Sequence, residues 1–156
     1  MNAKIKWAIL VVCMAAWNAH GAFEKPTREQ LKAAAEDLSR VVGLLEDASI
    51  DQAAETAKDV IIEIAKLDLK PEERDNRASS LVAYLFMAMP KDQWLALAIS
   101  FAKFVAASPT ASMTPALLSS LQRAIIEVAG LDVGNAFGNA YNLAMQTVAG
   151  APGGGK

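Results

Sequence analysis

Cysteine and histidine each occur once in the 156 residues, at Cys13 and His20. Everything after residue 20 therefore lacks thiol and imidazole side chains. Such a chain cannot form a disulfide, bind zinc through Cys or His, or carry out Ser-His or Cys-His nucleophilic catalysis. We expect a protein that is not an enzyme and that uses neither a metal nor another cofactor. Catalysis by carboxylates, Ser or Lys alone would need a cluster of perturbed groups, which the sequence does not suggest.

Charge is scarce in the second half of the chain. Residues 22–92 carry 15 acidic and 10 basic side chains, whereas residues 93–156 carry two acidic and three basic ones. The formal net charge is −2 and falls to −4 if Lys4 and Lys6 are removed with the N-terminus. A mildly acidic chain without a cluster of Lys and Arg is not expected to bind nucleic acid.

The first 21 residues have the pattern of a secretory signal peptide. Two lysines precede an apolar run of 11 residues, Trp7–Trp17, and the small residues Ala19 and Gly21 follow. As a helix the run would span about 16 Å, too short for a bilayer core of about 30 Å. We expect cleavage after Gly21 or after Ala22, and a periplasmic or secreted product with no membrane span.

This leader has two other interpretations. It could remain attached as an N-terminal anchor, although its length argues against this. Lipid attachment at Cys13 is not expected, because Val12 stands where a lipoprotein signal has a small residue.

Apolar residues recur at helical spacing through residues 22–149, which predicts a single all-α domain of six helices. The first helix is expected to run without a break from the capping box at Thr27 to Leu45. Residues 150–156, rich in glycine, are expected to form a disordered tail. The six predicted helices start near Thr27, Asp51, Pro71, Asp92, Thr114 and Asp132.

The stretch 78–107 has few charges and five aromatic residues, and it predicts a central helical hairpin that bends at Met89–Asp92. The odd-numbered helix starts are 44 and 43 residues apart, and the even-numbered starts are 41 and 40 apart. This spacing resembles the period of two-helix α-solenoid repeats of the HEAT kind. No repeated residue motif accompanies it, so a compact six-helix bundle explains the spacing nearly as well.

The last helix carries a candidate contact surface of neutral amides and two glycines. Each glycine costs a helix about 1 kcal/mol relative to alanine, so a pair four residues apart suggests close approach by another helix. The alternative is an ordinary solvated face. The residues of this candidate surface are Gly134, Asn135, Gly138, Asn139, Asn142 and Gln146.

Large apolar side chains from three predicted helices form a candidate apolar pocket for a lipid or another apolar ligand. Such residues at helical spacing are more often core anchors, and this is the alternative interpretation. The residues concerned are Trp94, Phe101, Phe104, Leu121, Phe137 and Tyr141.

Two charged groupings have plain structural interpretations. Glu55, Asp59 and Glu63 follow one another at intervals of four residues, which suits a divalent cation but is better explained as a solvated face. Glu73 and Arg77 have the spacing of an ion pair within one helix.

These features predict an exported, non-catalytic helical interaction or scaffold protein of the cell envelope. Its partner would be another protein or a second copy of the chain, since the sparsely charged half resembles the core of an interface. The alternative is a carrier that holds a lipid or other apolar ligand between its helices. An internal cavity lined by the aromatic residues would favour the carrier.

The predicted leader can be tested on the exported protein. N-terminal sequencing and the intact mass should show a chain that begins at Ala22, or at Phe23 if cleavage follows Ala22. Replacing the small residue Ala19 by arginine should block cleavage, because signal peptidase needs a small residue there. A natural chain that keeps Met1 would contradict the prediction and support the anchor.

Overall fold

The computed structural model describes residues 22–108 and 112–149, and these residues form seven α-helices and two short 3-10 helices. The all-α prediction is confirmed for this part of the chain. The predicted leader, the glycine-rich tail and residues 109–111 of the predicted loop between residues 107 and 113 lie outside the described residues. The helices are α1 Arg28–Glu36, α2 Val41–Leu44, α3 Ile50–Ala65, α4 Pro71–Met87, α5 Trp94–Ala106, α6 Pro115–Ala129 and α7 Leu131–Ala149.

Side-chain caps fix the beginning of three helices, as their sequences predict. Thr27 accepts a hydrogen bond from the backbone N–H of Gln30, whose side chain accepts one in return from the Thr27 N–H. Ser49 and Gln52 form the same reciprocal pair at α3. The hydroxyl of Thr114 caps α6. These bonds satisfy backbone donors that a helix start otherwise leaves unpaired.

The starts of α5 and α7 differ slightly from the prediction. The predicted start Asp92 lies in a 3-10 turn, Lys91–Gln93, that precedes α5. Asp132 lies inside the first turn of α7 and is not its cap, because α7 begins directly after Gly130. Gly130 ends α6 with a φ of 96°, a conformation that glycine adopts without strain.

The predicted continuous first helix is wrong, because the chain breaks at Asp37 into α1, a 3-10 turn and α2. Asp37 is extended, and its carboxylate accepts hydrogen bonds from the backbone N–H and the hydroxyl of Ser39. These bonds hold the pKa of Asp37 below its usual value. Arg77 of α4 donates to the carbonyl oxygens of Ala35 and Glu36, 2.8 Å each, and so satisfies the end of α1.

Arg77 therefore has a different role from the predicted one. Within the described residues, the ion pairs do not include Glu73 with Arg77. Glu73 instead accepts a hydrogen bond from the backbone N–H of Lys70, 3.2 Å away, at the start of α4. Sequence spacing alone could not show that the end of another helix lies within reach of the guanidinium.

The helices are arranged in two layers, because helices two apart in the chain pack on each other. In one layer α3 contacts α1 and α5, and α5 contacts α7; in the other α4 contacts α2 and α6. Contacts of α3 with α4 and of α6 with α7 join the layers. The buried core lies between them and includes Phe86, Phe101, Leu121 and Phe137. No helix in the described ranges is long and apolar enough to cross a membrane.

Trp94 fastens the connection between α4 and α5. Its indole N–H donates to the carbonyl oxygens of Phe86 and Met89, at 2.8 and 3.1 Å, where α4 ends. The Phe86 ring meets the indole edge to face, with centroids 5.8 Å apart. This combination of hydrogen bonds and aromatic contact sets the direction in which the chain leaves α4.

Candidate functional site

A groove runs along the surface between α5 and α7 and is the main candidate for a binding site. It has a volume of about 740 Å³ and is lined mostly by alanine and larger aliphatic side chains. The two helices are held side by side by the core contact of Phe101 with Phe137, whose ring centroids are 5.7 Å apart. The groove lining includes Ile99, Lys103, Ala136, Asn139, Leu143 and Val148.

Large apolar side chains lie exposed along the edge of this groove. Leu143 and Val148, which line it, are 64% and 61% exposed. Neither α5 nor α7 is covered by a further element on this side within the described residues. Apolar side chains grouped beside a groove are typical of binding surfaces, whereas single ones are common anywhere.

Lys103 supplies the charge of the groove. Among the described residues that line it, this lysine is the only charged one. A second groove, of about 690 Å³ between the start of α3 and α5, shares Ile99 and Lys103 with the first. In it the hydroxyl of Ser100 donates to Asp51, 2.5 Å away. Lys103 therefore lies between an apolar groove and a more polar one.

The candidate contact surface of the last helix divides into two parts. Gly134 and Gly138 face α6, where a Cβ added at Gly134 would overlap Ile126 Cγ1 and one added at Gly138 would lie 2.8 Å from Gln122 Nε2. The close approach suggested by the glycines is thus made by α6 of the same chain. The four amides Asn135, Asn139, Asn142 and Gln146 are exposed, and Asn139 lines the groove.

The candidate apolar pocket consists of side chains that pack on the core. Phe101, Leu121 and Phe137 are buried, and Phe104, Tyr141 and Trp94 are partly buried against the same core. The two grooves beside α5 are lined by other residues. These positions match the core-anchor interpretation. Sequence analysis did not identify Leu143, Ile99 or Lys103, although Lys103 stands out as the single charge of α5.

The acidic residues of α3 each lie beside a cation. Glu55 pairs with Lys25 at 2.9 Å, and Asp59 pairs with Lys58. Glu63 was predicted to be solvated but is only 9% exposed, since it lies against Lys66, 2.5 Å away, with Arg28 at 3.9 Å. Within the described ranges, no group of three or more acidic, His or Cys side chains is placed to hold a metal ion.

The two glycines of α7 give a testable difference. Gly134→Ala should carry a packing cost of about 1–3 kcal/mol, because the new methyl overlaps the branched side chain of Ile126 beside its backbone. Gly138→Ala should cost less, since the amide of Gln122 is the end of a flexible side chain and can turn away. Its cost is the loss of the bond from Gln122 to the Gly134 carbonyl, 3.2 Å long.

Urea unfolding followed by circular dichroism measures both variants. The higher helix propensity of alanine offsets each cost by about 1 kcal/mol, so Gly138→Ala should be close to neutral. Equal stability of the two variants would contradict the tight packing of α6 on α7 at Gly134.

No protein-family model matches the chain, and no curated protein or solved structure is significantly similar to it. The function is therefore inferred from the geometry of the chain itself.

Proposed function

We propose that the protein is an exported, non-catalytic interaction module of the cell envelope that binds a protein partner through the α5–α7 groove. The groove itself is the main support for this proposal. It is apolar, has a volume of about 740 Å³, and has Leu143 and Val148 exposed at its edge. A helix with apolar side chains on one face fits a groove between two helices. The low charge of residues 93–156 supports this use, because charged residues are depleted in interface cores.

We also propose that the fold is a short α-solenoid resembling HEAT repeats. The alternating contacts of the two layers support it over a compact bundle, in which successive helices would pack mainly on each other. Solenoids present one layer of helices as an extended binding surface. Here that layer would be α3, α5 and α7, which carries both grooves that meet at Lys103.

A carrier of an apolar ligand is the second candidate function, and Lys103 is the observation that favours it. A single ammonium group beside an apolar groove suits a ligand with a long hydrocarbon chain and a carboxylate or phosphate head. The ligand would lie on the surface between α5 and α7, since the large aromatic residues pack on the core.

Photo-crosslinking in the producing cell tests the proposed function. A photoreactive amino acid in place of Leu143 should give protein adducts of defined mass. The same residue in place of Met87 should give none, although Met87 is equally exposed, at 65% against 64%. Met87 ends α4 in the other layer and does not line the groove.

The masses of the adducts separate the two functions. Protein-sized adducts confined to the Leu143 position support the interaction module. Adducts of lipid size would replace it with the carrier. Equal labelling at both positions, or none at either, would contradict a binding surface on α7.

A further inference from the structure

Four amide side chains form a row along the exposed side of α7, with Asn135, Asn139, Asn142 and Gln146 separated by 4, 3 and 4 residues. This is the spacing with which one helix keeps a continuous seam against another. The four side chains make no hydrogen bond with other residues in the described ranges, and all are exposed. Leu143, at the edge of the α5–α7 groove, flanks the row on one side.

The row is symmetric about its own centre. Asn135 and Gln146 are equally distant from a point between Ala140 and Tyr141, and so are Asn139 and Asn142. A two-fold axis through this point would place each amide opposite an amide of an antiparallel copy. An interface between identical subunits about a two-fold axis requires this kind of self-complementarity.

Electrostatic complementarity also favours a second copy as the occupant. A carboxamide both donates and accepts hydrogen bonds, so an amide row can bond to an identical row, whereas a charged row would repel itself. Asp132, in the first turn, is the single charge of α7. Antiparallel pairing sets the positive N-terminal end of each helix dipole beside the negative C-terminal end of the other.

We propose that two copies of the chain pair through α7, antiparallel, about a two-fold axis between Ala140 and Tyr141. Asn135 then meets Gln146 of the second copy, and Asn139 meets its Asn142. Leu143 of each copy lies over the α5–α7 groove of the other copy, at the end where the small side chain of Ala136 leaves space for it. This inference rests on the proposed function, since the amide row adjoins the α5–α7 groove at Asn139 and Leu143 and the inference names the partner.

The expected contact is small, which favours a weak dimer. Helix α7 has 19 residues. It is therefore about 28 Å long, and a single helix pair of that length buries less than the roughly 1,600 Å² of a standard interface. The dimer should therefore dissociate on dilution through the micromolar range, as small interfaces do.

Disulfide crosslinking tests the register in the full chain with Cys13 replaced by serine. A mixture of the Asn135→Cys and Gln146→Cys variants should form disulfide-linked dimers under mild oxidation. Each variant alone should not, because its two cysteines would lie about 16 Å apart along the helix axis, beyond the ~7 Å between Cα atoms that a disulfide spans. Crosslinking of Asn135→Cys with itself would overturn the antiparallel arrangement.

Light scattering after size exclusion gives an independent readout. The wild-type mass should rise towards twice the chain mass as the concentration increases. Asn139→Glu should remain a single chain, while Asn76→Glu, the same change on the exposed side of α4, should behave as the wild type. A single chain for the wild type at all concentrations would overturn the inference. If the wild type is a single chain but photo-crosslinking at Leu143 gives protein adducts, the proposed function stands with a different partner. If it gives no adducts, both the dimer and the proposed function are contradicted.

Discussion

Helix α5 must be covered on two sides, and the positions of the other helices follow from this constraint. Seven of its 13 residues are buried, and Lys103 is its single charge. Leu97, Phe101 and Val105 are in contact with the core, and fully burying a side chain of this size contributes about 1.5–3 kcal/mol. Because α3 and α7 both pack on α5, and α1 packs on α3, these four helices form one layer, and α2, α4 and α6 form the other.

The same constraint explains why the candidate site lies where it does. Packing against α5 and α6 uses Phe137, the two glycines and the partly buried Val133, Ala140 and Tyr141 of α7, and the remaining side of that helix faces outward. The outward side combines neutral amides with exposed Leu143 and Val148, whereas the exposed side of α1 at the other end of the layer carries charged residues. Removing water from the surface of α7 therefore costs less than removing it from the surface of α1, because desolvating amides and aliphatic groups costs less than desolvating charges.

Local chemistry made much of the fold predictable from sequence. The capping boxes at Thr27 and Ser49, the proline at the start of α4 and Gly130 at the end of α6 all act through neighbouring residues, so their effects are visible in the sequence. The break at Asp37 has a local part, the bonds of its carboxylate with Ser39, which apolar periodicity does not reveal. It also has a distant part, Arg77 of α4, which donates to the final carbonyl groups of α1. Apolar periodicity described a continuous helix because it contains no information about such a partner.

The candidate site was predicted only in part, for a related reason. The amide row was visible because it follows the helical period, but the groove beside it is formed by two helices that are not adjacent in sequence. The aromatic residues have the helical spacing of either a pocket or core anchors in the sequence, and their placement could be read only from the packing of α5 on α7.

Native mass spectrometry of the chain, purified without harsh detergent, tests most directly whether the α5–α7 face binds a protein. We expect the wild type and Met87→Glu to carry additional protein mass, either a second copy or a partner, and Leu143→Glu to lose it. The two substitutions start from equal exposure, so a general effect of added charge would change both. A bare single chain for all three proteins, or added mass that survives in Leu143→Glu, would contradict the account.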